Sequence, residues 1–327
     1  MITITRRGAN MGIAESNANS VPRRYEIAGQ QLLFQAPAER LAAFEIEGES
    51  AVHKAELHSL PELSLLDKDQ ASLHYRGDAP FANQLQEVCC WRDQQRVQIE
   101  VSGEPVVCID LATQHIQLLN DRSFDDDLNL EVITGPALIL MLANTGIFCL
   151  HAGAVVTPHG TVALIAESGV GKSTLSRHID EQWAQLADDV LALVPAGKIS
   201  ASKQVEQAQK AVPENRHVVQ DFPQLKLPAC QSAVRAGRET QLDLLLRLSP
   251  VASDVISFSK LSSTDAMLQV IRHSVAARLF DPAQLVEHTE FARLLTKQTT
   301  VAEIRYPRSL DQLGTVRQAI TEYLQRL

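Results

Sequence analysis

Several things are missing from this 327-residue chain, and each absence excludes a class of function. Positive charge is in short supply: 30 Lys and Arg face 39 Asp and Glu, a formal net charge of −9. That balance argues against nucleic acid or an anionic membrane surface as the main partner. A clean run of about 20 apolar residues, the length that spans a bilayer, is also missing. The most apolar region, 135–156, is interrupted by Pro136, Asn144, Thr145, Gly146 and His151. It reads as a buried helix over Ala137–Asn144, a turn at Thr145-Gly146 and a strand from Phe148, so no membrane insertion is expected. There is no apolar stretch after Arg6-Arg7 to make a secretory or twin-arginine signal. The five cysteines, Cys89, Cys90, Cys108, Cys149 and Cys230, include no CxxC spacing. They read as buried or free thiols of a reducing compartment, not as a disulfide or zinc framework. A cytoplasmic location is the expectation. There is no internal repeat and no low-complexity segment. The 45% hydrophobic content is ordinary for a globular protein, and the length suits two domains.

What is present is concentrated in one stretch. Ala166-Glu167-Ser168-Gly169-Val170-Gly171-Lys172-Ser173 has the form [A/G]-x-x-x-x-G-K-[S/T] of a phosphate-binding P-loop. Small residues let successive backbone N–H groups close around a phosphate, Lys172 adds a positive charge, and Ser173 offers a hydroxyl to Mg²⁺. The context agrees. Thr161–Ile165 is a β-branched apolar run that reads as a buried strand ending at the loop. Behind the loop, Leu175, Ile179 and Trp183 recur every four residues, as on one helical face. Nucleotide contacts are therefore expected from Glu167, Ser168, Gly169, Val170, Gly171, Lys172, Ser173 and Thr174.

Asp188-Asp189 follows fifteen and sixteen residues after Ser173, with Leu186-Ala187 ending one apparent strand and Val190–Val194 forming the next. Two carboxylates between apolar strands are costly to bury unless a cation or a hydrogen-bond network compensates them. An Mg²⁺ held by the P-loop serine is the obvious compensation. Adjacent residues on a strand point to opposite sides, so the two differ in role, one toward metal and the other toward a substrate hydroxyl. An exposed Asp-Asp turn is the plainer alternative.

His151–Val156, the P-loop and Leu186–Asp189 together resemble the catalytic core of the HPr kinase/phosphorylase superfamily, in particular its branch of HPr kinase-like proteins of bacterial gene clusters, including lasso-peptide clusters. Phe222–Pro228 resembles that branch's aromatic-Pro-x-Leu-Lys-Leu segment, and Ile304–Arg308 its C-terminal Arg-Tyr-Pro strand. The similarity covers about residues 129–320. It implies an α/β P-loop kinase core related to the ATP-dependent phosphoenolpyruvate carboxykinases, with ATP and Mg²⁺ as cofactors. It implies transfer of phosphate to a hydroxyl, a serine of a peptide or small protein or else a small-molecule hydroxyl. Asp188 would then orient and deprotonate the hydroxyl, Lys172 and the loop amides would stabilise the transferring phosphoryl group, and Ser173 with Asp189 would hold Mg²⁺. His151 takes a catalytic place beside the aspartates on this resemblance, a core histidine bonded to a carbonyl being the ordinary alternative. Lys226 would reach a phosphate or the substrate, with a solvated lysine as its alternative. A non-catalytic, ATP-dependent binding module is the competing class of function. Homo-oligomer formation is left open.

Three departures from the family pattern narrow the activity. Alanine stands at 166 where glycine is usual, Thr174 where glutamate is usual, and no Glu-x-Arg-Gly signature follows the aspartate pair. HPr is therefore not expected as substrate, nor phosphorolysis as a second reaction. Glu239 is a loose candidate to replace the missing glutamate. Arg272, Arg278 and Arg305 are candidates for a γ-phosphate clamp, against surface arginine as the default.

Three segments are expected along the chain: a disordered polar tail over 1–21, a β-rich domain over 22–127, and the P-loop domain over 128–327. Runs such as Gln31–Phe34, Arg96–Val101, Val106–Asp110 and His115–Leu119 alternate as strands do. Asn120–Asp127 reads as a solvated acidic linker. Leu310, Leu313, Val316, Ile320 and Leu324 mark a closing helix.

Overall fold

The computed structural model describes residues 1–7, 22–46, 60–167, 169–177, 183–195, 217–220, 222–224 and 240–327. They form a mixed α/β protein of two compact units, Met1–Thr145 with Ala276–Asp281, and Gly146–Val275 with Pro282–Leu327. Each is built on a large mixed sheet.

The first unit's strands are β1 (Ile2–Arg6), β2 (Arg23–Ile27), β3 (Gln30–Phe34), β4 (Glu45–Ile46), β5 (Ser72–Phe81), β6 (Gln84–Arg92), β7 (Arg96–Val101), β8 (Glu104–Asp110) and β9 (His115–Leu118). Their order is β4-β2-β3-β1-β9-β8-β7-β6-β5. Two-residue turns with both φ angles positive, Ala28-Gly29, Ala82-Asn83 and Ser102-Gly103, close three hairpins. That is the hand of turn that matches the twist of paired strands.

The expected tail over 1–21 is corrected here. Ile2–Arg6 is a strand in the middle of the sheet, parallel to β3 on one side and β9 on the other. Ile2 and Ile4 are fully buried, and Thr3 and Thr5 are nearly so. Alternating Ile and Thr suits a pleated strand covered on both faces. This strand joins the β2–β4 part of the sheet to the β5–β9 part. Residues 8–21 lie outside the described residues.

The acidic connector is also not a solvated linker. Asp126 caps helix α1 (Asp127–Val132) by accepting from the N–H groups of Leu128 and Asn129. Asp125 accepts from the Glu39 and Arg40 amides, and Asp127 pairs with Arg40 at 2.7 Å. After α1 the chain kinks at Gly135-Pro136, where proline has no N–H to give, and continues as α2 (Leu138–Ala143), buried throughout. Hence the first compact unit ends after Thr145, not after Asp127. No helix among the described residues is long and apolar enough to cross a membrane. Cys89, Cys90, Cys108 and Cys149 are free and buried. Burial pushes the Cys90 and Cys149 thiols up to about 12 and Cys108 to about 11, so these stay protonated and unreactive. Cys230 lies outside the described residues.

The second unit contains β10 (Phe148–His151), β11 (Gly153–Thr157), β12 (Gly160–Ile165), α3 (Lys172–Arg177), β13 (Ala184–Ala187), β14 (Val190–Pro195), β15 (His217–Gln220), β16 (Thr240–Val251), β17 (Ser257–Lys260), α4 (Ser263–Arg272), α5 (Pro282–Gln298), β18 (Thr300–Pro307) and α6 (Leu313–Leu324). The main path runs β10-β14-β15-β16-β12-β11-β13, with β18 also beside β16 and β17 beyond β18. β16 runs parallel to β12 on one side and to β18 on the other, and this central strand is rich in leucine. That composition is what a strand buried on both faces requires.

One core holds the loop-bearing strand in place: Val162 and Leu164 of β12, Leu175 of α3, Leu244 and Leu246 of β16, Ile304 and Tyr306 of β18, and Val316 and Ile320 of α6. Trp183 belongs to this core but does not extend α3; it stands at the entry to β13. Ile179 lies outside the described residues, so the four-residue spacing did not mark one continuous described helix. Leu310 is 70% exposed in a separate short turn, and the closing helix begins at Leu313.

Candidate active site

β12 is buried along its length and delivers the chain to Ala166 and Glu167. The loop then turns through Gly169 (φ 78°) and Gly171 (φ 100°), left-handed conformations that a side chain would strain. Ala166 is not among the residues with positive φ, so alanine is tolerated where the pattern usually has glycine. α3 starts at Lys172, and Leu175 N–H donates to the Gly171 carbonyl at 3.0 Å. Ser168 lies outside the described residues. Two side chains, one in β18 and one just past its end, reach the loop: Tyr306 Oη donates to the Val170 carbonyl at 3.5 Å, and Arg308 Nη2 to that of Gly169 at 3.4 Å. The Arg-Tyr-Pro segment therefore supports the loop from the next-but-one strand. Arg305 itself is exposed and turns to Glu303.

Lys172 is 7% exposed, and its Nζ donates to the His151 carbonyl at 3.4 Å. This contact ties the loop to the end of β10. On β10 the imidazole of His151 places Nδ1 at 3.1 Å from both Oδ1 and the backbone carbonyl of Asp189. Both are acceptors, so Nδ1 is the ring nitrogen placed to donate. Backbone bonds hold each partner: Ala152 N–H donates to Asp189 O at 3.1 Å, and His151 N–H to His273 O at 2.7 Å.

The two aspartates occupy the bend between β13 and β14, and their surroundings differ. Asp188 is 2% exposed, and its Oδ1 accepts from Ser176 Oγ and Gln185 Nε2, each at 3.2 Å. Ser176 is three residues from Ser173 on α3, the spacing that puts both on one helical face. The Asp189 side chain keeps 24% of its surface and that of His151 42%. Burial thus runs opposite to the expected division of labour: the carboxylate expected to meet the acceptor is the enclosed one.

One candidate arginine and a histidine given no role in the sequence stand beside the loop. Arg272, at the end of α4, pairs with the loop residue Glu167 at 2.5 Å, both side chains 58% exposed. His273 caps α4 and is nearly buried. Burial, then the Lys172 charge, hold its imidazole down to about 4, so it is neutral at pH 7. No local signal marked His273, because its place depends on β10 and α4 meeting. Thr174 is exposed on α3. Arg278 belongs to the first unit. Lys226 and Glu239 lie outside the described residues.

Among the described residues no three His, Cys, Asp or Glu side chains cluster as a metal cage. Mg²⁺ at a nucleotide site takes one or two protein oxygens and completes its shell with phosphate and water. The Ser173 hydroxyl and the aspartate pair fit that requirement. The positive-φ glycines, the buried lysine and Arg308 at the loop fit a phosphate chain.

Comparison with known proteins adds little to this geometry. No protein-family model matches the chain, and no curated protein matches it. Among solved structures it is similar to the HPr(Ser) kinase/phosphatase from Coxiella burnetii, with 12% identity and a TM-score of 0.29, over 54% of this chain and 97% of that one. A likeness of that degree assigns no residue a role.

Acid should destabilise this protein in a definite window. Burial holds His115 and His273 down to about 4 and also lowers His217 and His288. The unfolded chain takes up protons on these rings below about pH 6.5. Between about 6.5 and 4 it therefore binds protons that the folded chain refuses, so stability is complete above that window and falls through it. After discounting for solvent screening, the loss should be on the order of 1 kcal/mol for each of His115 and His273 at pH 5. Urea unfolding at pH 7, 6 and 5 checks this, and His115→Gln should flatten the slope. A pH-independent midpoint would show that these rings are already solvated.

Proposed function

We propose that this protein is an ATP-dependent, Mg²⁺-requiring phosphotransferase acting on a hydroxyl, a serine of a peptide or small protein in the first instance. One observation carries the reading. The phosphate-loop lysine bonds the carbonyl of His151, and the imidazole of that same residue is paired at 3.1 Å with Asp189. A phosphate-binding group and a group able to take a proton thus meet at one strand end, which is what transfer to a hydroxyl needs.

In this proposal the amides around Gly169 and Gly171, with Lys172 and Arg308, bind the phosphates and offset the charge of the transferring group. Asp188 and Ser173 would hold an Mg²⁺, which would supply charge neutralisation when bound. The accessible pair does the proton work. His151 Nε2 takes the hydroxyl proton, and Asp189 holds the Nδ1–H tautomer and offsets the imidazolium charge that forms. His273, neutral and enclosed, orients the strand end through its carbonyl. The roles of Asp188 and Asp189 are thus exchanged relative to the expectation from resemblance, because a proton acceptor must be reachable and Asp188 is 2% exposed. The missing Glu-x-Arg-Gly signature supports an acceptor other than HPr and the absence of phosphorolysis. The location that suits this chemistry is the cytoplasm.

The test uses the full chain with ATP labelled at the γ-position and peptides encoded beside its gene. Label should pass to one peptide with wild type and not with Lys172→Ala. Failure of wild type to bind ATP–Mg²⁺ in calorimetry would overturn the nucleotide site. ATP binding without hydrolysis or transfer to any hydroxyl acceptor would favour the regulatory-module reading.

A further inference from the structure

The residues that carry both carboxylates belong to no sheet ladder: β13 ends at Ala187 and β14 starts at Val190. The Asp189 carbonyl accepts from Ala152 N–H, and a single side chain from far along the chain takes the N–H groups of the turn. Gln224 is 3% exposed. Its Oε1 accepts from three consecutive backbone N–H groups, those of Asp188 and Asp189 at 2.9 Å and of Val190 at 3.2 Å. Its Nε2 donates to the Val190 carbonyl at 2.6 Å and to that of Phe222 at 3.0 Å.

Three successive N–H groups aimed at one point form the concavity that elsewhere holds an anion. Here a neutral amide oxygen fills it. Glutamate would offer the acceptor but place a third negative charge beside two carboxylates, and it would leave two carbonyls without their donor. An amide satisfies all five backbone groups and adds no charge. Ser176 and Gln185 steady only the Asp188 carboxylate, whereas Gln224 fixes the backbone from which both side chains project.

We infer that Gln224 is the positioning residue of the aspartate pair, holding the turn so that one carboxylate faces α3 and the other faces His151. Its hold on the turn stands by itself; its part in catalysis rests on the phosphotransfer reading. Gln224 touches no reacting atom. It acts through the geometry of Asp188 and Asp189.

The test compares full-length wild type with Gln224→Met, which keeps the length and removes both polar atoms. Hydrogen exchange at the Asp188, Asp189 and Val190 amides should quicken by about 100-fold while the β12 amides stay protected, because only the local turn is freed. With AMP-PNP present, Mn²⁺ binding followed by electron paramagnetic resonance should weaken about tenfold or more. AMP-PNP affinity without metal should change less than about threefold, since the loop amides and Lys172 are untouched. A merely structural role would move both affinities together or neither. Unchanged exchange at 188–190 would overturn the inference, and so would fast exchange with wild-type Mn²⁺ affinity. If Gln224→Met fails to fold, Gln224→Asn, one methylene shorter, withdraws the oxygen from the turn and is read the same way. If wild type binds no AMP-PNP, the phosphotransfer reading fails, while the exchange measurement still decides whether Gln224 holds the turn.

Discussion

Lys172→Ala should abolish phosphotransfer and weaken ATP–Mg²⁺ binding severely, with the fold retained. Lys172 is the buried cation of the loop, where it stands with backbone amides and the exposed Arg308. Removing a preorganised positive group from where phosphoryl charge develops costs about 10²–10³-fold in rate even when a single donor is lost. Here the same group serves the ground state, so affinity should fall as well. The substitution leaves a small cavity at a loop, and the apolar core beneath it, from Leu164 to Ile320, is untouched. Calorimetry with ATP–Mg²⁺ and a thermal melt on the same sample separate the two effects. Unchanged nucleotide affinity with a normal melt would sink the phosphate-loop assignment. Loss of the fold itself would mean that Lys172 serves the strand end at His151 more than the nucleotide.

The second large effect concerns which aspartate does what. Asp189→Asn should retain nucleotide and metal binding and lose turnover by about 10²–10⁴-fold, the usual worth of a positioned proton acceptor. An amide at 189 can present its N–H to the imidazole, which then loses the tautomer that leaves Nε2 basic. His151→Gln should fall into the same range, and the double variant should be scarcely worse than either alone, because the two residues act as a unit. Asp188→Asn should instead raise the Mg²⁺ concentration needed for half-maximal rate, because Asp188 lies against α3, which carries Ser173. The opposite pattern, with Asp188→Asn losing turnover at saturating Mg²⁺ and Asp189→Asn losing metal affinity, would restore the assignment implied by resemblance. Wild-type behaviour in both would reduce the pair to a structural turn.

What could be read in the sequence was local. The run from Thr161 to Ser173 contains a strand, two glycines at left-handed positions and a lysine within a few residues, so its conformation depends on its own composition. The same holds for the β8–β9 hairpin, the strands flanking Asp188-Asp189, and the helix beginning at Leu313, where period and turn chemistry coincide. What could not be read depended on partners distant in sequence. Ile2–Arg6 looked like the start of a polar tail because five alternating residues reveal nothing of the two strands waiting on either side of them. Asn120–Asp127 looked solvated because the groups that Asp125 and Asp127 serve, the amides of 39 and 40 and the Arg40 side chain, lie more than eighty residues away.

The site divides along the same line. The glycine-rich loop, the aspartate pair and the histidine could be singled out in the sequence because each belongs to a short run with its own spacing. How they combine is set by the fold: Asp188 is enclosed and Asp189 accessible, His151 meets Asp189 across 38 residues, and Gln224 bonds both backbones from 35 and 36 residues away. Hydrogen-bond geometry is a matter of tenths of an ångström, and the partners that meet at this bend, from β10, α3, β13 and Gln224, set it at that scale. Composition and period fix which groups a segment carries, while burial and pairing, which give those groups their chemistry, belong to the folded whole.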